Sequence, residues 1–319
     1  MSHPSPPSPA PSPSRSVEVA IIGGGPAGLS AALVLGRARR SVLVIDAGRP
    51  GHFAADAVHG FLGMENVPPR ELRRRVWEQL EPFDVSLVQA GVVGSRPEAG
   101  AGIRESRGAV AVDSGFVLTL DDGSTVEAAV VLLATGVHYG VMDLPGLAAL
   151  WGERLFHCPF CHGWEVVGKR VGVIGPQPVI DHMVPLIRLW ADDLTGFLVG
   201  PTAGGGPTAV SVSRDGDDGT GDVVVALSDG SEVRVDVLFA PPALGPVDAL
   251  LEDFGLHHDF ESPMTPEPLG LAVDANGATA VRGVYAAGDF AGELPSVANA
   301  VQSGSKAAVG IVRLLSGQG

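Results

Sequence analysis

The residues best suited to chemistry are Cys158 and Cys161, the only two cysteines in 319 residues. Two intervening residues allow their thiols to close a small disulfide at the start of a helix, where the helix dipole lowers a thiol pKa. The thiolate is the nucleophile in disulfide exchange. A disulfide-stapled secreted scaffold needs many more cysteines, and a structural zinc site needs two further ligands. The pair therefore predicts redox chemistry without a metal, and the alternative is two reduced core thiols.

A Gly-rich turn near the N-terminus predicts an element that binds a dinucleotide. From Val17 the chain reads VEVAIIGGGPAGLSAALVLGRARRSVLVIDAG, a strand, a turn, a helix beginning near Pro26 and a second strand. Gly23, Gly25 and Gly28 form GxGxxG, in which the glycines permit the turn, the approach of a pyrophosphate and close helix–strand packing. Asp46 follows the second strand, where a carboxylate can accept ribose hydroxyls. The alternative is a Gly-rich turn in an unrelated α/β protein.

Two later segments each predict a strand that runs into a tight turn. Residues 130–139, VVLLATGVHY, contain the tripeptide ATG, and residues 283–292, GVYAAGDFAG, contain AAGD. A helical stretch is predicted from about Ala298 to Leu315. These three motifs together resemble flavoproteins with two dinucleotide-binding domains, in which the late aspartate holds the FAD ribityl and pyrophosphate end.

This resemblance implies an α/β fold with two Rossmann-like domains, the FAD-binding one discontinuous. We expect a disordered Pro/Ser tail at 1–15, the FAD-binding domain at 16–146 and 241–319, and an inserted domain at 147–240 that carries the CxxC motif and a degenerate nucleotide site. The residues that the resemblance assigns to FAD are Gly23, Gly25, Pro26, Ala27, Gly28, Asp46, His52, His59, Ala134, Gly136, Gly288, Asp289, Asn299 and Ala300.

The position of the CxxC motif resembles that in low-molecular-weight thioredoxin reductases. By this resemblance Cys161 faces the flavin as a thiolate and Cys158 exchanges with the substrate. His162 stands where the reductases carry a proton-shuttling aspartate, so it is the candidate proton carrier, with a solvated neighbour as the alternative. His52 and His59 fall where the family passes its chain by the isoalloxazine. They are expected to line the flavin or a dithiol pocket, His59 as a possible base, or to be neutral hydrogen-bonded neighbours.

The second nucleotide site departs from the reductase pattern. After the strand RVGVIG only Gly175 remains of the glycine motif, and Pro176 and Pro178 remove backbone N–H donors that a pyrophosphate needs. NADPH binding in the usual mode is therefore not expected. CPFCHGWE with a degenerate second site resembles the dithiol oxidases of the gliotoxin and holomycin type, which pass electrons from a small dithiol through the enzyme disulfide and FAD to O2, releasing H2O2.

Two alternatives to the oxidase stay open. One is a thioredoxin reductase-like enzyme that uses NADPH or another electron donor, and the other is a flavin module that senses redox state without turnover. The substrate expected for the oxidase is a small natural-product dithiol in an apolar crevice walled by Phe160 and Trp164. A homodimer is expected by resemblance alone.

The composition of the chain argues against two classes of partner, nucleic acid and membrane. Twenty-one Lys and Arg against 36 Asp and Glu give a net charge of −15, which repels nucleic-acid phosphates and anionic lipid. No stretch reaches the roughly 18 uninterrupted apolar residues of a membrane helix, and the N-terminal Pro/Ser segment lacks the apolar core of a signal peptide. We expect a cytoplasmic protein that binds neither nucleic acid nor membrane.

Overall fold

The computed structural model describes most of the chain in eight segments. These are residues 15–48, 51–99, 114–200, 206–216, 221–245, 250–259, 270–292 and 295–318, and for residues 52, 53, 99 and 114 the description covers the backbone alone. Residues 1–14 of the predicted Pro/Ser tail lie outside the described residues, and Arg15 already begins the first strand.

The described chain contains five α-helices and sixteen strands, besides short 3-10 helices. The helices are α1 Pro26–Arg37, α2 Pro69–Leu80, α3 Pro159–His162, α4 Gln177–Ile187 and α5 Val297–Leu315. The strands are β1 Arg15–Ile22, β2 Val42–Ile45, β3 Val85–Val88, β4 Val92–Ala99, β5 Ser114–Leu120, β6 Thr125–Leu133, β7 His138–Gly140, β8 Leu155–Phe156, β9 Val171–Gly175, β10 Leu194–Leu198, β11 Ala209–Arg214, β12 Val223–Leu227, β13 Glu232–Val235, β14 Val237–Phe239, β15 Ala243–Gly245 and β16 Val284–Ala286. None of these helices combines the length and apolar character that crossing a membrane requires.

The chain divides into two compact units, each discontinuous in sequence. The first unit combines Met1–Pro50, Arg73–Val137 and Pro246–Gly319, and the second combines Gly51–Leu72 with His138–Gly245. The segment Gly51–Leu72, expected within the FAD-binding domain, is therefore grouped with the CxxC motif. The expected domain boundaries concern cofactor binding and stay a prediction.

The first unit is built on a seven-stranded sheet in the order β3-β2-β1-β6-β5-β4, with β16 also paired to β6. Strands β1, β2, β3, β6 and β16 are parallel, while β4 and β5 are antiparallel. The inner parallel strands β2 and β16 are buried along their whole length because both faces of the sheet are covered there. Helices α1 and α5 pack on one face, and the loops around Phe254 and Phe290 pack on the other.

The second unit contains three sheets. A parallel four-stranded sheet has the order β10-β9-β14-β8, and α4 connects β9 to β10 as in a βαβ unit. An antiparallel sheet β11-β12-β13 and the pair β15-β7 accompany it. Leu147, Leu238 and Val223 are fully buried in its core. A parallel sheet in each of two units agrees with the α/β class predicted from the sequence.

Candidate redox and cofactor site

Two glycines of the GxGxxG motif, Gly23 and Gly28, lie in close contact with neighbouring backbone atoms. Gly23 has a φ of +114°, and a Cβ added there would lie 2.2 Å from the carbonyl oxygen of Ala134. A Cβ on Gly28 would lie 2.0 Å from the carbonyl oxygen of Gly23. No side chain fits at either position. The start of α1 and the ends of β1 and β6 therefore approach one another closely, as the GxGxxG motif predicts.

The N-terminus of α1 is open to a ligand. The helix begins at Pro26, and the preceding residue Gly25 provides no side-chain cap. A Cβ on Gly25 would meet no atom within 4 Å, and no acidic side chain lies in the first turn. Helix-terminal N–H groups without a side-chain cap form an anion site. This geometry fits the pyrophosphate of a dinucleotide.

The carboxylate of Asp46 lies beside this turn and is buried, with 6% of the residue exposed. Its Oδ1 accepts the N–H of Gly48 at 3.1 Å, and its Oδ2 accepts the guanidinium of Arg73, which also donates to the carbonyl of Gly24 at 2.8 Å. Arg73 was not predicted, because the charged pattern of α2 is typical of a solvated helix and carries no sign of a contact with a distant turn.

The ATG and AAGD segments converge on the same helix end. Gly288 has a φ of +81°, and a Cβ on it would lie 3.1 Å from the Cβ of Ala27. The N–H of Gly288 donates to the hydroxyl of Ser303 in α5 at 2.7 Å. In the ATG segment Gly136 has a φ of +66°, and the hydroxyl of Thr135 is buried without a hydrogen-bond partner in the described chain. That orphaned hydroxyl is consistent with a polar ligand at this position.

Two predicted FAD residues, Asn299 and Ala300, begin α5. Ser296 caps this helix: its hydroxyl accepts the N–H of Asn299 at 3.1 Å, and its carbonyl accepts the N–H of Ala300 at 3.0 Å. Both N–H groups thus have partners within the helix. Their role at a flavin stays a prediction, as does that of Asp289, which lies in the short helix Gly288–Ala291.

In the second unit Cys158 and Cys161 form a disulfide, with their Cα atoms 5.3 Å apart. Cys158 is the N-cap of α3, and its carbonyl accepts the N–H groups of Cys161 and His162 at 3.1 and 3.2 Å. Pro159 at the first helical position is preorganised for this turn. The turn holds both sulfur atoms and the following imidazole on one short element.

His162 lies in an apolar setting. Its ring stacks on Phe156 with centroids 4.1 Å apart and contacts the ring of His59 edge-on at 5.7 Å. Its Nδ1 is buried and has no hydrogen-bond partner among the described residues. Burial, together with the smaller effects of positive charge on His59 and His157, lowers the pKa of His162 to about 4. The imidazole is therefore neutral at neutral pH.

A second histidine beside the disulfide is enclosed by aromatic rings. His157 stacks on Trp151 with centroids 5.4 Å apart and faces Tyr139 at 5.5 Å. Burial lowers its pKa below the ordinary value. Because the two rings come from other parts of the chain, the sequence alone does not show that His157 is buried.

His59 lies with His162 in the wall of a cavity of about 200 Å³ in the second unit. Its Nδ1 is 2.7 Å from an Oε1 of Glu65 and 3.7 Å from an Oε1 of Glu165. The other oxygen of Glu65 accepts the N–H of Gly60 at 2.9 Å. These two hydrogen bonds hold the pKa of Glu65 below its usual range.

The other residues that the sequence predicted for this region are His52, Phe160 and Trp164. His52 lies in a short helix, Gly51–Ala54, and its side chain is outside the description. Phe160 and Trp164 are 71% and 78% exposed, and neither lines the cavity. Phe160 instead contacts Trp190 edge-on at 5.9 Å. The apolar crevice walled by these two side chains stays a prediction.

The turn between β9 and α4 differs from that before α1. Pro176 is the N-cap of α4, the amide of Gln177 donates to Asp181 at 2.7 Å, and a Cβ on Gly175 would lie 2.9 Å from Val179. Arg170 lies at the opposite end of β9, where its guanidinium is bound to two carboxylates, Asp222 at 2.7 Å and Asp236 at 2.6 Å. Within the described ranges no three His, Cys, Asp or Glu side chains are grouped to hold a metal ion.

Comparisons with known proteins agree with this architecture. The family model for pyridine nucleotide-disulphide oxidoreductases matches residues 17–176 and 206–304. The chain is 32% identical to thioredoxin reductase tcpT of Claviceps purpurea over 90% of this chain and 91% of that protein. Among solved structures it is similar to an oxidoreductase from Agrobacterium tumefaciens (31% identity, 93% and 98% coverage, TM-score 0.78) and to HlmI (27% identity, 95% and 93% coverage, TM-score 0.81). The chain belongs to the pyridine nucleotide-disulphide oxidoreductase family and is thioredoxin reductase-like.

Proposed function

We propose that this protein is an FAD-dependent dithiol oxidase that closes a disulfide in a small natural-product dithiol and passes the electrons to O2, releasing H2O2. Family membership makes it an oxidoreductase, and the direction of the reaction is the part proposed here. Cys158 and Cys161 are the exchanging pair, and His162 carries the proton.

The observation that carries this direction is the neutral imidazole of His162, which follows the disulfide directly. Oxidation of a dithiol requires a group that accepts a proton from each thiol, whereas reduction of a disulfide requires a donor for the leaving thiolate. Burial lowers the pKa of His162 to about 4, so at neutral pH the imidazole is uncharged and one of its ring nitrogens is free to accept a proton. The apolar contact with Phe156 supports the same protonation state.

The first unit supports FAD as the cofactor. The open N-terminus of α1 suits the pyrophosphate, and the buried carboxylate of Asp46 suits the ribose hydroxyls. We assign the remaining FAD contacts to the residues predicted from the sequence around Ala134, Gly288 and Asn299. When bound, FAD supplies the two-electron chemistry that reoxidises the cysteine pair and delivers the electrons to O2.

The exchange step uses the cysteine pair twice. A substrate thiolate attacks the sulfur of Cys158, the Cys158–Cys161 bond breaks, and Cys161 leaves as a thiolate. The second substrate thiol attacks the substrate sulfur of this mixed disulfide, which forms the product disulfide and frees Cys158. Two protons leave the substrate thiols and two electrons stay on the cysteine pair. His162 is placed to accept a proton during this exchange.

A thioredoxin reductase-like reaction is the second candidate, because tcpT of Claviceps purpurea carries that name. The usual donor for such a reaction is NADPH, which needs a phosphate-binding turn in the second unit. Pro176 is the N-cap of α4 at that turn and has no N–H to donate, and Arg170 lies at the opposite end of β9, bound to two carboxylates. These features argue against the usual NADPH mode.

Anaerobic titration of the flavin-loaded protein distinguishes the two candidates. The flavin absorbance is followed with NADPH in one cuvette and dithiothreitol in another, and air is then admitted. We expect dithiothreitol to bleach the flavin and NADPH not to do so. After air is admitted, we expect rapid return of the yellow colour and release of one H2O2 per dithiol. A Cys161→Ser variant is expected to keep its flavin and fail to bleach.

Bleaching by NADPH in place of dithiol would support the reductase instead. Bleaching by dithiol followed by slow reoxidation in air, without H2O2, would also contradict an oxidase.

A further inference from the structure

Three titratable side chains of the second unit, His162, His59 and Glu65, follow one another from the residue next to Cys161. His162 and His59 share the cavity wall, with ring centroids 5.7 Å apart. Glu65 lies on the far side of His59, 2.7 Å from its Nδ1. The three side chains therefore form a continuous series that begins next to the cysteine pair.

Glu65 is the exposed end of this series. The Nδ1 of His162 is buried, 10% of the His59 side chain is exposed, and 55% of the Glu65 side chain is exposed. A proton taken up by His162 needs an exit, because the desolvated ring does not hold the charge. Among the described residues, the ring of His59 contacts that of His162 and is hydrogen-bonded to the exposed carboxylate of Glu65.

The backbone around His59 and Glu65 fixes the relative position of their side chains. Val58 and Val67 form an antiparallel bridge at the base of the loop that carries both residues. Glu65 accepts the N–H of Gly60 with one oxygen and faces His59 with the other. An ionised carboxylate only accepts hydrogen bonds, so His59 holds its proton on Nδ1 and leaves Nε2 as the acceptor.

We infer that His59 and Glu65 form a proton outlet that carries protons away from His162 during dithiol exchange, an inference that rests on the proposed function. A thiol proton moves to His162 and then to Nε2 of His59. The Nδ1 proton of His59 passes to Glu65, which releases it to water. No bond other than S–H and N–H changes in the relay, and no electrons move through it.

Glu165 is a second carboxylate at the same imidazole, 3.7 Å from Nδ1. This distance exceeds hydrogen-bond range, so Glu165 contributes charge and Glu65 contributes the bond. The other charged side chains in the cavity wall are Asp56, Glu153, Arg154 and Lys169.

The test uses His59→Ala and Glu65→Gln in the flavin-loaded protein, with dithiothreitol as the probe. The reduction of the Cys158–Cys161 disulfide is followed by rapid alkylation of the freed thiols, and the bleaching of the flavin is followed in parallel. We expect each substitution to slow disulfide reduction by about tenfold or more, as loss of a proton acceptor or of its orienting carboxylate does. Glu232→Gln, an exposed carboxylate of β13 in the same unit, is the matched control and should leave the rate unchanged.

Chemical rescue separates a relay from a structural role. Imidazole added to His59→Ala should restore most of the lost rate, and it should not accelerate the wild-type protein or Glu232→Gln. Wild-type rates in both variants, or a slow His59→Ala protein that imidazole does not rescue, would overturn the outlet. The alkylation readout keeps this result separate from the proposed function, which fails if the wild-type disulfide is reduced but the flavin neither bleaches nor turns over.

Discussion

At the scale of single residues, burial decides what the histidines around the disulfide can do. His162 is stacked on Phe156 and has an unsatisfied Nδ1 in the described chain, whereas His59 is hydrogen-bonded to an exposed carboxylate. The same residue type thus occupies two electrostatic settings within one cavity wall. Their different partners allow one ring to accept a proton beside the sulfur atoms and the other to pass it outward.

The lowered pKa of His162 predicts a loss of stability in acid. The unfolded chain binds a proton below about pH 6.5, whereas folded His162 does so only near pH 4, so the unfolded state is favoured as pH falls through this window. His162→Phe retains a ring against Phe156 and removes the titration. Between pH 7 and pH 5, we expect the free energy of unfolding in urea to fall by about 1 kcal/mol more for the wild-type protein than for His162→Phe. Equal losses in the two proteins would contradict a desolvated His162.

At the scale of elements, the cofactor-binding end of the first unit depends on how closely α5 approaches α1. A Cβ on Gly304 would lie 2.0 Å from the carbonyl oxygen of Ala27. That atom belongs to the backbone of the first turn of α1, the end that we assign to the pyrophosphate. The spacing between these helices therefore sets the position of the N–H groups at the proposed FAD site.

Gly304→Ala is expected to destabilise the protein although alanine favours helices. The gain in helix propensity is about 1 kcal/mol, but a backbone clash at this distance forces α1 and α5 apart and costs about 1–3 kcal/mol or more. We expect a lower urea midpoint and weaker retention of flavin. Val309→Ala, on an exposed position of α5, serves as the control and should change stability by about 0.5 kcal/mol or less. A Gly304→Ala protein as stable as the wild type would show that the helices can separate without cost.

At the scale of the whole molecule, each compact unit has a core of its own. Leu132 is fully buried between β6 and the helices of the first unit, and Leu238 is fully buried in β14 of the second. The proposed FAD residues of the first unit depend on the first core, and the Cys158–Cys161 disulfide depends on the second.

Matched truncations should separate these roles. Leu132→Ala and Leu238→Ala each leave a cavity and should cost about 2–5 kcal/mol in unfolding free energy. We expect Leu132→Ala to release flavin at lower temperature, and Leu238→Ala to retain flavin while its disulfide becomes more rapidly reduced by dithiothreitol. Flavin fluorescence and thiol alkylation during a thermal ramp measure the two effects. Early flavin release in Leu238→Ala alone would contradict the assignment of FAD to the first unit.

Much of the fold was predictable because its signals are local in sequence. The GxGxxG turn placed the start of α1 at Pro26, and the apolar helical stretch near the C-terminus became α5, Val297–Leu315. Glycines that require a left-handed backbone or close approach, such as Gly23 and Gly288, stand out because few other residues are tolerated there. The disulfide was equally visible, since its two cysteines lie three positions apart.

The contacts that distinguish this site were not predictable, because they join residues that are distant along the chain. Arg73 looks like any other cation on a charged helix until β2 and α1 bring Asp46 and Gly24 beside it. The sequence alone determined the family motifs, the α/β class and the cysteine pair that can close a disulfide, because these follow from residue type and short spacing. Only the tertiary structure decided that His59, Glu65 and His162 adjoin one another, because side-chain proximity and burial arise when separate segments pack together.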